Sequence, residues 1–141
     1  MADHFHHNAS HLAWKGEIDT DTDTFKDAWF TSSLTSDKDD TAYSATNELT
    51  GGGYTAGGYT NAVTLTKVDA SDRVKFDITD PTLTPSGGSL SPAYVRIYDD
   101  THASNALIYT IDLGGAQTVN AGNTLTINID ATNGLFYIDQ A

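Results

Sequence analysis

The sequence predicts an all-β fold: a single antiparallel β-sandwich with an irregular N-terminal arm and at most one or two short helices. Three observations predict it. Beyond residue 60 the apolar residues recur at a period close to two, the spacing that lines one face of a strand. Turn signals separate these segments at short intervals, and Asn133-Gly134 is the strongest short-range hairpin signal in the chain. About one residue in seven is threonine, a β-branched side chain suited to half-exposed sheet surfaces. A closed barrel is the alternative arrangement of the same strands.

A chain of 141 residues fits one domain, and at that size roughly two-thirds of the unfolded surface is buried, enough for a self-sufficient core. There is no cysteine, hence no disulfide and no thiol nucleophile. No run approaches the ~18 apolar residues of a membrane helix, and no basic stretch leads into an apolar one at the N-terminus. The expectation is a soluble protein with no membrane partner, released by lysis. The net charge of −12 argues against nucleic acid as a partner, because a phosphate-facing surface needs clustered Lys and Arg. The seven basic residues are scattered, and none follows Arg96. Solubility through self-repulsion is the favoured reading of that charge; an acidic face for a basic partner is the other.

In chain order, residues 1–16 read as an arm and residues 17–141 as the β-domain. The arm holds His4, His6, His7 and His11 among the apolar Phe5, Leu12 and Trp14. His7 and His11 have the spacing of a helical metal pair, but no further ligands accompany them, so no metal is expected. Aromatic residues do not stay in a solvated tail without somewhere to bury. The arm therefore covers an edge of its own sheet or docks on a neighbour. Docking is the favoured reading, which makes His4, Phe5, His6, His7, Leu12 and Trp14 the candidate interface residues.

Asp19, Asp21 and Asp23 reproduce the first spacings of an EF-hand loop. Thr24 and Phe30, however, stand where that loop needs Gly and Glu, so a polar turn is favoured over calcium. Residues 25–32 read as the first core strand, with Asp27 interrupting its apolar face. Residues 36–47 leave room for a turn or two of helix capped by Ser36. Residues 48–60 contain five of the twelve glycines and the unit Gly-Gly-Tyr-Thr twice. They read as a hinge between the arm and the β-domain.

Later segments alternate. Residues 62–68 point Val63 and Leu65 inward, and residues 73–78 do the same with Val74, Phe76 and Ile78, across a hairpin loop at 69–72. Strands follow at 93–98, 106–113, 124–130 and 135–138. Val74, Phe76, Ile97, Ile108, Leu125 and Ile127 are the expected core. No phosphate loop, nucleophile elbow or zinc-protease helix is present, and the Asp99-Asp100 pair reads as solvated. The residues predict no enzyme, no catalytic residue and no cofactor.

Five pieces occur in a fixed order: residues 47–58 (NELTGGGYTAGG), 73–77 (RVKFD), 93–100 (AYVRIYDD), 111–115 (IDLGG) and 125–136 (LTINIDATNGLF). Their order and spacing resemble the small virion-associated structural proteins of tailed bacteriophages, over about residues 17–138. The resemblance implies a particle component with other virion proteins as partners: the major capsid protein, or tail or neck proteins. Together with the acidic domain and the aromatic arm it leads to an expected capsid decoration protein that forms a homo-oligomer. The alternative is a tail or neck appendage that binds a receptor or glycan, with Tyr54, Tyr59, Tyr94, Tyr98 and Tyr109 as stacking platforms.

Overall fold

A computed structural model of the chain describes residues 2–139. Met1, Gln140 and Ala141, at the ends of the two expected units, lie outside the described residues. In chain order the elements are β1 (His4–Phe5), α1 (His7–Trp14), β2 (Phe25–Phe30), β3 (Tyr59–Asn61), β4 (Val63–Val68) and β5 (Arg73–Ile78). They continue with β6 (Thr82–Leu83), β7 (Tyr94–Asp99), β8 (Leu107–Asp112), β9 (Leu125–Thr126) and β10 (Phe136–Asp139). Among the described residues antiparallel strands dominate, with α1, of eight residues, as the single α-helix and a 3-10 turn at Asp69–Ser71 between β4 and β5.

The largest sheet has five strands in the order β1-β8-β7-β2-β3. Its middle strand, β7, is matched residue for residue by β2, from Phe25 opposite Asp99 to Phe30 opposite Tyr94. Both faces of this sheet are covered. Phe25, Trp29, Val95 and Ile97 enter the main core, while Ala28, Phe30, Tyr98 and Leu107 form a second cluster with Leu34. This is why β2 lacks a polar face: Ala28, Trp29 and Phe30 are all fully buried. Each large side chain buried this way contributes about 1.5–3 kcal/mol.

A three-stranded sheet, β10-β5-β4, packs its apolar face on the main core. The Phe25 and Phe76 rings meet edge to face at 6.1 Å, and Phe136 stacks on Phe76 at 4.8 Å. β6 and β9 form a two-stranded ribbon whose Leu83 is fully buried.

Several expectations need correction. Phe76, Ile97 and Ile108 are buried, and Leu125 and Ile127 pack partly buried against the core. Val74 and Leu65, however, are exposed: Val74 lies near the start of β5, and Leu65, although opposite the buried Phe76, sits on β4, an edge strand of its sheet. Residues 36–47 contain turns and a bridge from Ala42 to Ala106 but no helix. The strand expected at 124–130 is only Leu125–Thr126. Asn133-Gly134 turns the chain, with a single antiparallel bridge between Asp130 and Gly134, and the strand that follows, β10, pairs with β5.

The arm is not irregular. β1 pairs with β8 along the edge of the five-stranded sheet, and α1 follows at once. Gly16 ends the helix at φ +76°. The Gly16 amide bonds to the Ala13 carbonyl at 3.0 Å and the Glu17 amide to the Leu12 carbonyl at 2.9 Å, which is the Schellman arrangement that favours glycine.

Nor is the glycine-rich stretch a hinge between two units, since β2 before it and β3 after it belong to one sheet. Its glycines let backbones touch. A Cβ on Gly58 would stand 1.9 Å from the Asp27 carbonyl oxygen.

Candidate interaction site at the N-terminal arm

The arm divides into an inward and an outward face. Ala9 and Leu12, three residues apart on α1, are buried, and Phe5 tilts against Phe136 with ring centroids 4.7 Å apart. His7, His11 and Trp14 follow the i, i+4, i+7 spacing along the opposite side, and all three are exposed. Trp14 is 90% exposed, the extreme among the large apolar side chains.

Beneath the arm lies a buried polar network. His4 Nε2 shares a hydrogen bond of 3.0 Å with Ser36 Oγ, and His6 Nε2 one of 2.8 Å with Thr110 Oγ1. Arg96 projects from β7 into the same region and donates through Nη2 to Ser36 and Asp40, each at 2.5 Å. Burial, with help from the Arg96 charge and from His4, lowers the His6 pKa to about 4. His6 is therefore a neutral structural residue at physiological pH. A cleft of about 440 Å³ opens beside this network, lined by Leu34, Thr35, Asp40, Thr41, Asn47 and Arg96. Its rim touches the arm, because His7 Nδ1 stands 3.5 Å from Asp39.

Of the six candidate interface residues, the structure brings His4 and His6 into the buried network and Phe5 and Leu12 against the core. The arm thus covers its own sheet edge, and hydrogen bonds from β8 hold it there. His7 and Trp14 are the two left facing solvent.

The tyrosines do not make a shared platform. Tyr54 is buried and donates to Glu48 at 2.5 Å, and Tyr98 donates to the Gly57 carbonyl at 2.7 Å. Tyr43 stacks on Tyr98 at 4.4 Å and Tyr109 on Phe136 at 5.9 Å. Tyr94 is half-buried and Tyr59 is 38% exposed.

Three buried polar residues carry weight that the sequence reading missed. Glu48 accepts from Tyr43, Tyr54 and the Gly57 amide, and so pins the glycine-rich stretch. Asp27 accepts from Trp29 Nε1 at 2.9 Å and from Asn61 Nδ2 at 2.8 Å. Burial pushes the Asp27 pKa up to about 6 against the pull of those two bonds. Its signal was present in the sequence, as the one residue breaking the apolar alternation of β2. Arg96 interrupts β7 in the same way. Asp99, expected to be solvated, is fully buried. Asp19 and Asp21 lie exposed in a turn where the Asp19 amide bonds to Asp23 Oδ2 at 2.7 Å. Among the described residues no three His, Cys, Asp or Glu side chains converge as a metal-binding group.

Neither a protein-family model, nor a curated protein, nor a solved structure matches the chain.

Proposed function

We propose that this chain is a non-enzymatic structural protein of a tailed-bacteriophage particle. Its place is on the capsid surface as a decoration protein, with the five-stranded and three-stranded sheets as the layers of an antiparallel β-sandwich. The order of motifs along residues 17–138 supports the particle reading. The observation that carries the docking role is Trp14. A large aromatic ring stands 90% exposed at the end of a short helix whose other face is anchored in the core. Exposed aromatic anchors on rigid supports supply a disproportionate share of interface energy. The partners are the major capsid protein and further copies of this chain, and the location is the virion, assembled in the host cytoplasm.

Quantitative mass spectrometry of purified particles tests the location. Hundreds of copies per particle mean the capsid surface; a dozen or fewer mean the tail or neck. Trp14→Ala tests the docking residue. It should leave the melting temperature within a degree or two, because the ring buries almost nothing in its own domain, and should reduce binding to particles at least tenfold. Unchanged particle binding would remove Trp14 from the interface.

A second reading, a tail or neck appendage that binds a glycan, is favoured by the cleft beside Arg96. Hydroxyl, amide and carboxylate groups line it, and these are the groups that hydrogen-bond sugars. Binding to a glycan array that Asn47→Ala abolishes would support this reading over the first.

A further inference from the structure

Among the described residues the three sheets end on six edge strands, and five of these are short: β1, β6 and β9 have two residues each, β3 three and β10 four. β4 is the exception. It runs six residues, Val63–Val68, and pairs with β5 without a register shift along its whole length. Four of the six residues are β-branched, and neither glycine nor proline interrupts them. Among the described residues no main-chain hydrogen bond reaches the outer side of β4. A row of amides and carbonyls therefore faces solvent, ready to pair with another strand.

The side of β4 that faces the core carries apolar surface out to this edge. The register sets Leu65 beside Phe76 and Phe136 in one row, and Lys67, Val74 and Ile138 in the next. Among the described residues six large hydrophobic side chains are exposed, and Leu65, Val74 and Ile138 are three of them, at 52%, 36% and 57%. Apolar surface gathered in one place beside an unpaired edge marks a contact surface. Charge selects the occupant. Three of the seven basic residues, Lys67, Arg73 and Lys75, lie on this sheet, each against an aspartate. With Asp69, Asp72, Asp77 and Asp139 as its carboxylates, the sheet is close to neutral in a chain of net charge −12. A basic partner finds no surplus of negative charge here to recognise. Two copies of the chain, which repel each other elsewhere, can approach at this edge.

We propose that two copies of this chain pair through β4, antiparallel about a two-fold axis at Leu65, and so join their three-stranded sheets into one of six strands. Such a contact is self-complementary and closes at two copies, whereas β4 on β10 would be head-to-tail and leave an edge open for more. Symmetry restricts the register. An axis normal to the sheet keeps every side chain on its own face, and faces alternate along a strand. Leu65 therefore meets Val63, Leu65 or Lys67 of the second copy and never a threonine. Centring on Leu65 sets the two leucines together and Thr64 against Thr66, and cross-strand pairs of both kinds are favourable. Centring on Thr66 would set Leu65 against Lys67. One strand and a narrow apolar strip belong to the class of contacts below about 1,200 Å², with a Kd on the order of 10⁻⁴ M. The proposal names the surface for the contact between copies that the proposed function includes. Its test needs only the purified chain, so either can fail alone.

The test is sedimentation velocity of the intact protein at concentrations from about tenfold below to about tenfold above that Kd. Monomer should give way to dimer across the range, with nothing larger. Added sodium chloride should tighten the association severalfold, because it screens the repulsion between two acidic chains. Leu65→Glu sets two carboxylates against each other at the axis and should weaken the dimer at least tenfold. At low concentration its Tm should stay within about two degrees of the wild type, since Leu65 is half-exposed in its own domain. The chain has no cysteine, which allows the register to be read by cross-linking. Leu65→Cys brings two thiols within disulfide range and should form a covalent dimer under mild oxidation. Ile138→Cys, similarly exposed but five strands from its counterpart, should not. A protein that stays monomeric over the whole range overturns the proposal. So does equal cross-linking of the two cysteine variants, or a dimer that Leu65→Glu leaves intact and Trp14→Ala dissolves, which would assign the contact to α1.

Discussion

Asp27 and His6 are buried titratable residues whose pKa values move in opposite senses. Asp27 faces Trp29, Asn61 and the Tyr59 ring, and its folded pKa of about 6 lies above the usual 3.8. Folding therefore takes up a proton at Asp27 across that interval. The stabilisation is complete below about pH 4 and is lost as pH rises through 6. His6 faces Arg96, His4 and Asp40, and its folded pKa of about 4 lies below 6.5. Its contribution is present above pH 6.5 and is lost as pH falls towards 4. Between pH 4 and 6 the two oppose each other, so the wild-type stability should be nearly level there. Asp27→Asn should break that balance. At one pKa unit per 1.36 kcal/mol, removing the buried charge should stabilise the protein at pH 7 by on the order of 2 kcal/mol. To meet the new Asn, Asn61 must turn its amide and give up its bond to the Thr79 carbonyl, which offsets part of that gain. The gain should shrink towards zero at pH 4, where the uncompensated His6 loss then appears. Urea unfolding of both proteins from pH 4 to 8 checks this, and a gap that does not change with pH would contradict it.

At the scale of elements, what was legible in the sequence depended on the kind of contact that made each one. β4, β5, β7 and β8 were readable because their apolar residues alternate locally, although burial does not follow that alternation: β7 and β8 are buried on both faces, and Leu65 on β4 and Val74 on β5 are exposed. β1 was not, since two residues carry no period and the strand exists only through its pairing with Thr110 and Tyr109. The helix α1 did leave a mark, in Gly16 standing just past its last turn, but its polar outward face hid the short apolar stripe of Ala9 and Leu12. The exposure of Leu65 and Val74 could not be read at all, because alternation sets a face but not how far the opposing layer extends. The glycine-rich stretch was recognised for its freedom and misread as a boundary. Its function is close packing, and that can be tested by comparing two glycines. Gly51 and Gly58 both have positive φ, at +78° and +74°. Nothing lies within 4 Å of a Cβ on Gly51, whereas on Gly58 it would overlap the Asp27 carbonyl. Gly51→Ala should cost about 1 kcal/mol, the price of the left-handed conformation alone. Gly58→Ala must also push β3 away from β2 and should cost at least about 3 kcal/mol. Equal losses in chemical denaturation would mean that the stretch is a free loop after all.

For the whole molecule, the sequence declared the charge plainly but not its distribution. Lys15, Lys26, Lys67, Arg73, Lys75 and Arg96 each stand against a carboxylate. With a net charge of −12, many carboxylates remain after those pairs are made. The candidate site was only half legible for a related reason. Trp14 was conspicuous by its type, but the cleft and the Arg96 network join residues far apart in the chain, which no spacing reveals. The excess charge sets the response to salt. Exposed ion pairs contribute little each and weaken when screened, whereas repulsion among the surplus carboxylates acts over the whole surface and opposes the compact state. The second effect should win here, so sodium chloride should raise Tm by a few degrees. The screening length falls to about 10 Å at 0.1 M salt, already comparable with spacings between surface charges. Most of the rise should therefore come below about 0.2 M, with a shallow slope beyond. A Tm that falls with salt over that range would show that the ion pairs outweigh the surplus, and a steady rise up to about 1 M would point to general exclusion of salt from the protein surface instead of relief of repulsion.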